Sequence, residues 1–183
     1  LLAMHDQVTD RVWTELTWSK DTVVWERIEE GTPFIECSDK KFDYDYGCVY
    51  ACANPVFFDD HIRIYYGGSD WLHFGWRKGC LALATLRPDG FAGYIQERRN
   101  EPARIGTQSF FTEKGPIKVS ADVEKDGLLS ARLLSPAGNL VAEASLDRSC
   151  VDSDLFTSLP DKDGQYRIEF ELHAAKLYSF TTE

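Results

Sequence analysis

The sequence contains no apolar run approaching the roughly 20 residues needed to span a bilayer, so no membrane-spanning helix is predicted. It carries 20 Lys and Arg against 30 Asp and Glu, a formal net charge of −10. A nucleic-acid partner is not expected, because a phosphate backbone requires basic neutralisation. No basic segment followed by an apolar one, the pattern of a signal peptide, is visible. Neither a membrane nor a nucleic acid is therefore predicted as a partner.

The common catalytic and metal-binding signatures are also missing. The four histidines have no metal-ligand spacing among themselves. There is neither a glycine-rich phosphate loop nor a Gly-x-Ser-x-Gly nucleophile elbow. No cofactor, metal site or nucleophilic triad is predicted, and no catalytic residue is assigned within the chain.

The five cysteines are an odd number. Cys48 and Cys52 lie in one predicted strand, about 13 Å apart when extended, which is too far for a disulfide. A bridge between Cys37 and Cys48 stays open, but free thiols that pack as small hydrophobes are favoured. The redox compartment is undetermined.

The composition otherwise favours a folded protein. Hydrophobic residues make up 43% and aromatic residues 13% of the 183 residues, so global disorder is not expected. This length allows one large domain or two small ones. The sequence begins Leu-Leu-Ala-Met, directly on a strand-like run, which we interpret as the start of a piece of a longer protein.

Two neighbouring stretches have clear strand patterns. Apolar and polar side chains alternate in residues 61–66, which is typical of a half-buried strand. Residues 80–86 are apolar on both faces, which predicts a strand covered on both sides. The Arg-Pro-Asp-Gly sequence at 87–90 predicts a turn in which Gly90 adopts a positive φ.

An internal sequence repeat indicates a repeated sheet unit. The strand–turn–strand pattern of residues 12–28 recurs in residues 81–95, with Asp21 and Asp89 in matching turns 68 residues apart. In both copies the chain is expected to return as an aromatic strand after the turn. Repeated all-β units of this size are typical of propeller blades. Residues 1–96 are therefore predicted to be blades of a β-propeller.

The pattern changes after Gln96. Residues 97–102 are charged and poor in apolar side chains, as at a domain junction. Beyond them, alternating strands are predicted at 117–123, 128–134, 139–146 and 166–172, with turns at 125–127 and 136–139. Regular short strands with one polar, solvent-exposed face predict an antiparallel β-sandwich over residues 97–183. No segment has a helical period, so the whole chain is expected to be β.

Carboxylates beside aromatic residues are the chemistry of sugar sites, because carboxylates bind hydroxyls or exchange protons while aromatic faces stack on sugar rings. Two such groups stand out, one before a buried strand and one in the loop 69–78. The candidate substrate-binding residues are Asp45, His73, Tyr44, Tyr46 and Trp71. The alternatives are a solvated, Asp-capped turn for the first group and packing against a neighbouring blade for the second. Glu15 beside Trp13 is interpreted as part of a structural salt bridge.

Several strings then resemble a known family. Trp18-Ser19-Lys20-Asp21-x-x-x-Trp25-x-Arg27 resembles the blade motif Ser-Arg-Asp-Gly-x-x-Trp-x-Arg of five-bladed propeller proteins similar to glycoside hydrolase families 32 and 43, with Thr22 at the Gly position. The further strings follow in the family's order: Asp45-x-Gly47-x-x-Tyr50, Ile64-Tyr65-Tyr66-Gly67-Gly68, His73, Ala84-Thr85-Leu86-Arg87-x-Asp89-Gly90-Phe91 and Leu177-Tyr178-Ser179-Phe180.

The resemblance implies an all-β protein in which a partial β-propeller, its last one to two blades, is followed by an antiparallel β-sandwich. Such hydrolases carry their catalytic carboxylates on earlier blades, so the resemblance implies a C-terminal fragment that lacks them. It implies a parent that acts on or binds carbohydrate, with its N-terminal blades as partners of this fragment. A secreted location is suggested by the resemblance alone.

Two other functions stay open at this point. One is a non-catalytic carbohydrate-binding or interaction module that uses the sandwich or the tryptophan-containing loop. The other is a structural remnant of a degraded or misannotated gene. Whether the chain is an enzyme is undecided.

Overall fold

The computed structural model of the protein describes residues 1–112, 116–159 and 164–182. All regular structure in these residues is β, as predicted, and none of them forms a helix long and apolar enough to cross a membrane. The contacts divide the chain into two compact units, Leu1–Pro88 and Asp89–Glu183. The assignment of residues 1–96 to blades and 97–183 to a sandwich stays a prediction.

The first unit, Leu1–Pro88, contains eight strands. Their bounds are β1 Leu2–Asp6, β2 Arg11–Glu15, β3 Thr17–Trp18, β4 Glu26–Arg27, β5 Cys48–Ala51, β6 Val56–Phe57, β7 Ile62–Ser69 and β8 Gly79–Leu86. Six form one sheet in the order β1-β2-β5-β7-β6, with β8 paired to β7, while β3 and β4 form a separate hairpin. The pairs are antiparallel except for a single parallel bridge between Val12 and Cys48.

The alternation predicted for residues 62–66 is confirmed, because Ile62, Ile64 and Tyr66 are buried on one face of β7. The prediction that β8 is covered on both faces is wrong, since Leu81 and Leu83 are 74% and 46% exposed. Apolar composition indicates that a surface could be buried but does not supply the partner that buries it.

The two matching turns that contain Asp21 and Asp89 differ in detail from expectation. Positive φ falls on Asp89 (59°) rather than on Gly90, and an aspartate tolerates the left-handed region. After this turn no strand returns, and Tyr94 forms only an isolated bridge with Leu177. In the other turn Thr22 itself adopts a φ of 62°, which is an outlier for a β-branched residue.

The predicted strand at 23–28 shortens to Glu26–Arg27 because the preceding turn extends further. The Asp21 carboxylate accepts hydrogen bonds from the amides of Val23 and Val24, both at 2.9 Å. These amides are therefore engaged by a side chain and are not free for a sheet ladder.

The described residues of the second unit, Asp89–Glu183, form six strands. Their bounds are β9 Ala103–Gly106, β10 Phe110–Thr112, β11 Ile117–Leu134, β12 Leu140–Leu146, β13 Cys150–Phe156 and β14 Gly164–Thr182. The sheet has the order β10-β14-β11-β12, with β13 on β11 and β9 on β14. Two long antiparallel strands, β11 and β14, therefore organise the unit.

The turn predicted at 125–127 is wrong, because these residues lie inside the continuous strand β11. The register with β14 jumps from Val123–Ala175 to Leu128–His173, which is a bulge of several residues. Asp126 has a φ of 66° there. The turn predicted at 136–139 is confirmed by hydrogen bonds that the amides of Asn139 and Gly138 donate to Ser135.

The second unit has one large apolar core. The alternating residues of both halves of β11 point into it, as do those of β14. Its fully buried side chains include Ile117, Leu129, Leu133, Ile168 and Leu172. The alternation predicted for 117–123 and 166–172 is thus confirmed.

All five cysteines are free, so Cys37 and Cys48 do not form a disulfide. Both are buried, and burial raises the pKa of Cys37 to about 11. Its thiol donates a hydrogen bond to the carbonyl of Val12 at 3.1 Å. It therefore acts as a small apolar side chain with one weak donor.

Candidate functional site

The five candidate residues all lie in the first unit, but their contacts separate them into three groups. Tyr44 and Asp45 contact Tyr66, Tyr46 and Trp71 contact each other, and His73 contacts His5. We describe the three groups in turn.

Asp45 is buried, with 8% of its surface exposed. The hydroxyl of Tyr66 donates a hydrogen bond to Asp45 Oδ2 at 2.9 Å and lies 3.5 Å from the hydroxyl of Tyr44. Burial, with the contacts to Tyr44 and Asp45, raises the pKa of Tyr66 above its usual range, so it remains a donor. One oxygen of Asp45 is thus engaged within the fold, while half of the Tyr44 side chain faces solvent.

Tyr46 and Trp71 belong to an aromatic cluster on the surface, which we call the aromatic stack. Phe42 lies parallel to Trp71, with ring centroids 5.1 Å apart and an angle of 16° between the planes, and Tyr46 lies 6.2 Å from Trp71. The ammonium of Lys41 sits 4.9 Å from the Trp71 ring, and the guanidinium of Arg11 sits 4.9 Å from the Tyr46 ring. Both cations are at cation–π distance.

Phe42 is the unusual member of the aromatic stack. It is 66% exposed and adopts a φ of 70°, in the left-handed region that bulky residues avoid. Such a conformation costs on the order of 1–3 kcal/mol. The exposed ring recovers little of this by burial, so folding stability alone does not account for a phenylalanine at this position.

Glycines hold the loop of Phe42 against the loop of Trp71. A Cβ at Gly47 would lie 1.7 Å from the Trp71 carbonyl oxygen, and one at Gly68 would lie 2.7 Å from that of Tyr44. The amide of Gly47 also donates to the carbonyl of Ser69 at 2.9 Å. Close backbone approach therefore sets the position of the aromatic stack.

His73 lies in a different group, with His5 and Asp10. The His5 and His73 ring centroids are 4.5 Å apart, and His5 Nε2 lies 3.0 Å from Asp10 Oδ1. The amide of His73 donates to the Asp10 carbonyl at 2.9 Å, and that of Phe74 to Asp10 Oδ2 at 2.8 Å. The Phe74 hydrogen bond, which outweighs partial desolvation, and the contacts with His5 hold the pKa of Asp10 below its usual value.

Another exposed aromatic surface of the first unit surrounds Trp76. Trp76, 90% exposed, lines a groove of about 650 Å³ together with Tyr50 and Arg77. Arg77 also donates a hydrogen bond to the carbonyl of His73, which ties this loop together.

Glu15 has a structural role, as the sequence indicated. It is fully buried, and Arg27 reaches one of its oxygens through Nε at 2.8 Å and Nη2 at 2.7 Å. Trp13 Nε1 donates to the other oxygen at 2.9 Å. Burial raises the pKa of Glu15, but the bonds from Trp13 and Arg27 outweigh it, so the pKa lies below its usual value.

The second unit presents a polar groove of about 790 Å³ along its sheet. Arg132 lies 3.5 Å from Glu143 and 3.6 Å from Glu169, and Arg104 lies 2.9 Å from Glu171. Phe170, the aromatic residue among those lining the groove, is buried. This groove therefore offers ion pairs and not an exposed stacking face.

Sequence reasoning missed Phe42, Tyr66, His5 and Asp10. Phe42 was recognisable as part of an acidic, aromatic stretch, but its exposure and φ were not. His5 and His73 are 68 residues apart, the offset that also separates Asp21 and Asp89, and this was the one signal available for them.

No known protein family, no curated protein and no solved structure matches this chain.

Proposed function

We propose that this chain is the C-terminal part of a five-bladed propeller protein similar to glycoside hydrolase families 32 and 43, followed by a β-sandwich, and that it contacts carbohydrate through the aromatic stack. In this proposal residues 1–96 supply the last one to two blades. The second unit supplies the β-sandwich.

The contacts between two of the family-like strings support this origin. Asp89, from the Leu-Arg-x-Asp-Gly-Phe string, accepts hydrogen bonds from Ser120 at 2.6 Å and Ser179 at 3.1 Å. Ser179 belongs to the Leu-Tyr-Ser-Phe string near the end of the chain. A Cβ at Gly93, two residues after the first string, would lie 2.7 Å from the Leu177 carbonyl oxygen, so the chain that leaves this string runs close to the second one. Strings that occur together in the family are therefore in contact.

The core of the second unit supports the sandwich. Both halves of β11, on either side of the bulge, contribute buried residues to the same apolar cluster as β13 and β14. Two sheet faces that share one core are the basis of a sandwich.

The exposed apolar strands of the first unit support a partner of the blade type. Leu81 and Leu83 on β8 and Leu2 on β1 are at least 40% exposed. Adjacent propeller blades bury such faces against each other. The other blades of the parent protein are the proposed partner of these strands.

The stacked pair of Phe42 and Trp71 is the observation that carries the carbohydrate proposal. An exposed aromatic face attracts the slightly positive C–H groups of a sugar ring, because its π face is electron-rich. Tyr44 and Tyr46 would add hydroxyl and stacking contacts. Of the two polar candidates, Asp45 would act on the same ligand through the Tyr44–Tyr66 contact, whereas His73 lies with His5 and Asp10, apart from the aromatic stack.

The carboxylates favour binding over hydrolysis by this chain itself. Glycoside hydrolysis requires two carboxyl groups that flank the bond to be cleaved. The buried carboxylates among the described residues are Glu15 and Asp45, and both are bonded to neighbouring side chains. We therefore assign the chain a binding role within a glycosidase-like parent.

A glycan array probed with the whole chain tests the proposal. Phe42→Ala and Trp71→Ala are expected to abolish the signal for the glycans that bind. Phe57→Ala is the matched control, because Phe57 is also 66% exposed in the same unit and lies outside the aromatic stack. No binding to any glycan, or equal losses in all three variants, contradicts the proposal.

Aryl-glycoside hydrolysis separates binding from catalysis. We expect no turnover by the isolated chain, with glycan binding retained. Turnover that disappears in Asp45→Asn would instead establish the chain as an enzyme and would assign Asp45 a catalytic role.

A further inference from the structure

We infer that His5, Asp10 and His73 form a binding site for one transition-metal cation of the zinc type. One ligand atom from each of these residues lies within 4.8 Å of the other two. Two imidazoles and one carboxylate are a common ligand set for Zn²⁺ and similar cations, whereas Ca²⁺ and Mg²⁺ prefer oxygen ligands. This inference is independent of the proposed carbohydrate function.

The hairpin between β1 and β2 positions two of the three ligands. The Asp6 carboxylate accepts hydrogen bonds from the amide of Val8 at 2.9 Å and from the hydroxyl of Thr9 at 2.6 Å, which orders the turn. Asp10 ends this turn with a φ of 56°, and His5 lies opposite Val12 in the register. The side chains of His5 and Asp10 therefore meet beside the first strand pair.

The loop after β7 brings the third ligand. Backbone hydrogen bonds from His73 and Phe74 to Asp10 connect this loop to the hairpin. They leave Asp10 Oδ1 directed at His5, while Oδ2 is held by the Phe74 amide. Coordination by Oδ1 therefore leaves the hydrogen bond that orients the carboxylate in place, which is how ligating groups are held in metal sites.

The distances suit a small cation after a minor side-chain adjustment. Zn²⁺ binds imidazole and carboxylate ligands at about 2.0–2.2 Å, so two ligand atoms around it lie about 3.0–3.5 Å apart. His5 Nε2 and Asp10 Oδ1 are at that separation, 3.0 Å. The His73 ring has to approach them by about 1 Å to complete the set.

An unsatisfied nitrogen provides a second, independent observation. His73 Nδ1 is inaccessible to solvent and has no hydrogen-bond partner. A buried nitrogen without a partner is uncommon and costs free energy. A cation bound to Nδ1 would satisfy this nitrogen, and partial exposure of all three residues leaves a path for its entry.

Equilibrium dialysis of the whole chain against Zn²⁺, after treatment with a chelator, tests the site. Cys52→Ser/Cys80→Ser is used as the background, because these two thiols are exposed and thiolates are zinc ligands in their own right. We expect one Zn²⁺ per chain and a thermal midpoint that rises with Zn²⁺ concentration. His5→Ala, Asp10→Asn and His73→Ala should each weaken binding by at least about tenfold.

His61→Ala is the matched control, since His61 forms a similar His–Asp pair with Asp60 at 2.6 Å, to which no described residue adds a third ligand. It should bind Zn²⁺ like the background protein. Asp10→Asn stays informative if His73→Ala does not fold, because asparagine tolerates the left-handed backbone at this position. Absence of binding, binding that survives in both His5→Ala and Asp10→Asn, or a loss in His61→Ala each overturns the inference.

Discussion

The two units of this protein have nearly the same length but different interiors. Among the described residues, seventeen exposed large apolar side chains lie in Leu1–Pro88 and six in Asp89–Glu183, whereas buried apolar residues number seven and fifteen. The first unit buries the polar residues Thr14, Glu15, Asp45 and Ser69, against Thr112 and Ser120 among the described residues of the second. The second unit is stabilised mainly by apolar packing, and the first depends much more on hydrogen bonds and one ion pair.

This difference indicates which unit has side chains available to bind a ligand. A β-unit that covers its apolar faces and pairs its charges on the outside has few side chains left for a ligand. The first unit contains the aromatic stack, the His5–Asp10–His73 cluster and the backbone outliers at Phe42 and Thr22. All five tryptophans also lie there, so tryptophan fluorescence reports on the first unit alone.

Deleting a core ring of the second unit should have the largest effect. Phe170 is 2% exposed, and Phe170→Ala is expected to lower the free energy of unfolding of that unit by about 3–5 kcal/mol. The equivalent truncation Leu81→Ala in the first unit, at a 74% exposed residue, should change stability by less than about 0.5 kcal/mol. Urea unfolding followed by circular dichroism measures both. Similar losses of unfolding free energy in the two variants would contradict the proposed difference in apolar packing between the units.

Breaking an ion pair, in contrast, should destabilise the first unit more than the second. Arg27→Ala leaves Glu15 buried without its cation and is expected to cost the first unit about 3 kcal/mol. Arg132→Ala, in the second unit, removes a side chain that is 53% exposed and should cost less than about 1 kcal/mol. Tryptophan fluorescence in urea follows the first variant and circular dichroism the second. A cost for Arg132→Ala equal to that for Arg27→Ala would contradict this distribution.

Acid should destabilise the first unit. Among the described residues, the carboxylates whose pKa values lie below their usual values all belong to it: Asp6, Asp10, Glu15, Asp21 and Asp60. A carboxylate whose pKa is lower in the folded state stabilises the fold at pH values above its unfolded-state pKa, which is 4.5 for Glu and 3.8 for Asp. This contribution is lost as the pH falls through the folded-state pKa. The urea midpoint from tryptophan fluorescence should therefore fall below about pH 4.5, and Glu15→Gln should flatten that dependence. A midpoint that is constant from neutral pH to pH 3 would exclude this role.

The smallest expected effect is a gain in stability at the first turn. Thr22 has a φ of 62°, so Thr22→Gly should relieve strain and stabilise the first unit by up to about 1 kcal/mol. Part of the gain is offset because the Thr22 hydroxyl loses its bond to the Asp21 carbonyl. Thr9→Gly, at a comparable turn residue without positive φ, should destabilise instead. Thermal unfolding followed by tryptophan fluorescence distinguishes the two.

Much of the fold could be predicted because strand patterns are local. The alternation at residues 62–66, 117–123 and 166–172 identified the buried faces correctly, since neighbouring side chains of a strand point to opposite sides. The interpretation of Glu15 was also correct, because a carboxylate on a buried strand face requires a cation. The turn at 125–127 was wrong because Lys-Asp-Gly suits both a reversal and a bulge, and only the pairing with β14 distinguishes them.

The candidate site was less predictable. Its residue types were recognisable, but the sequence did not indicate that they would separate into three groups. In the structure, Asp45 accepts a hydrogen bond from Tyr66, Trp71 stacks on Phe42, and His73 contacts His5. Each of these contacts depends on how loops distant in sequence approach one another across the sheet.

By itself, the sequence determined that this chain is β throughout and which side of its regular strands is apolar. Both properties follow from the two-residue period of an extended chain. Tertiary structure alone decided which apolar faces are covered, as the exposed β8 demonstrates, and which polar residues meet. His5 and His73 become neighbours only because a hairpin and a loop 68 residues away are joined through Asp10, and no local pattern encodes a contact at that separation.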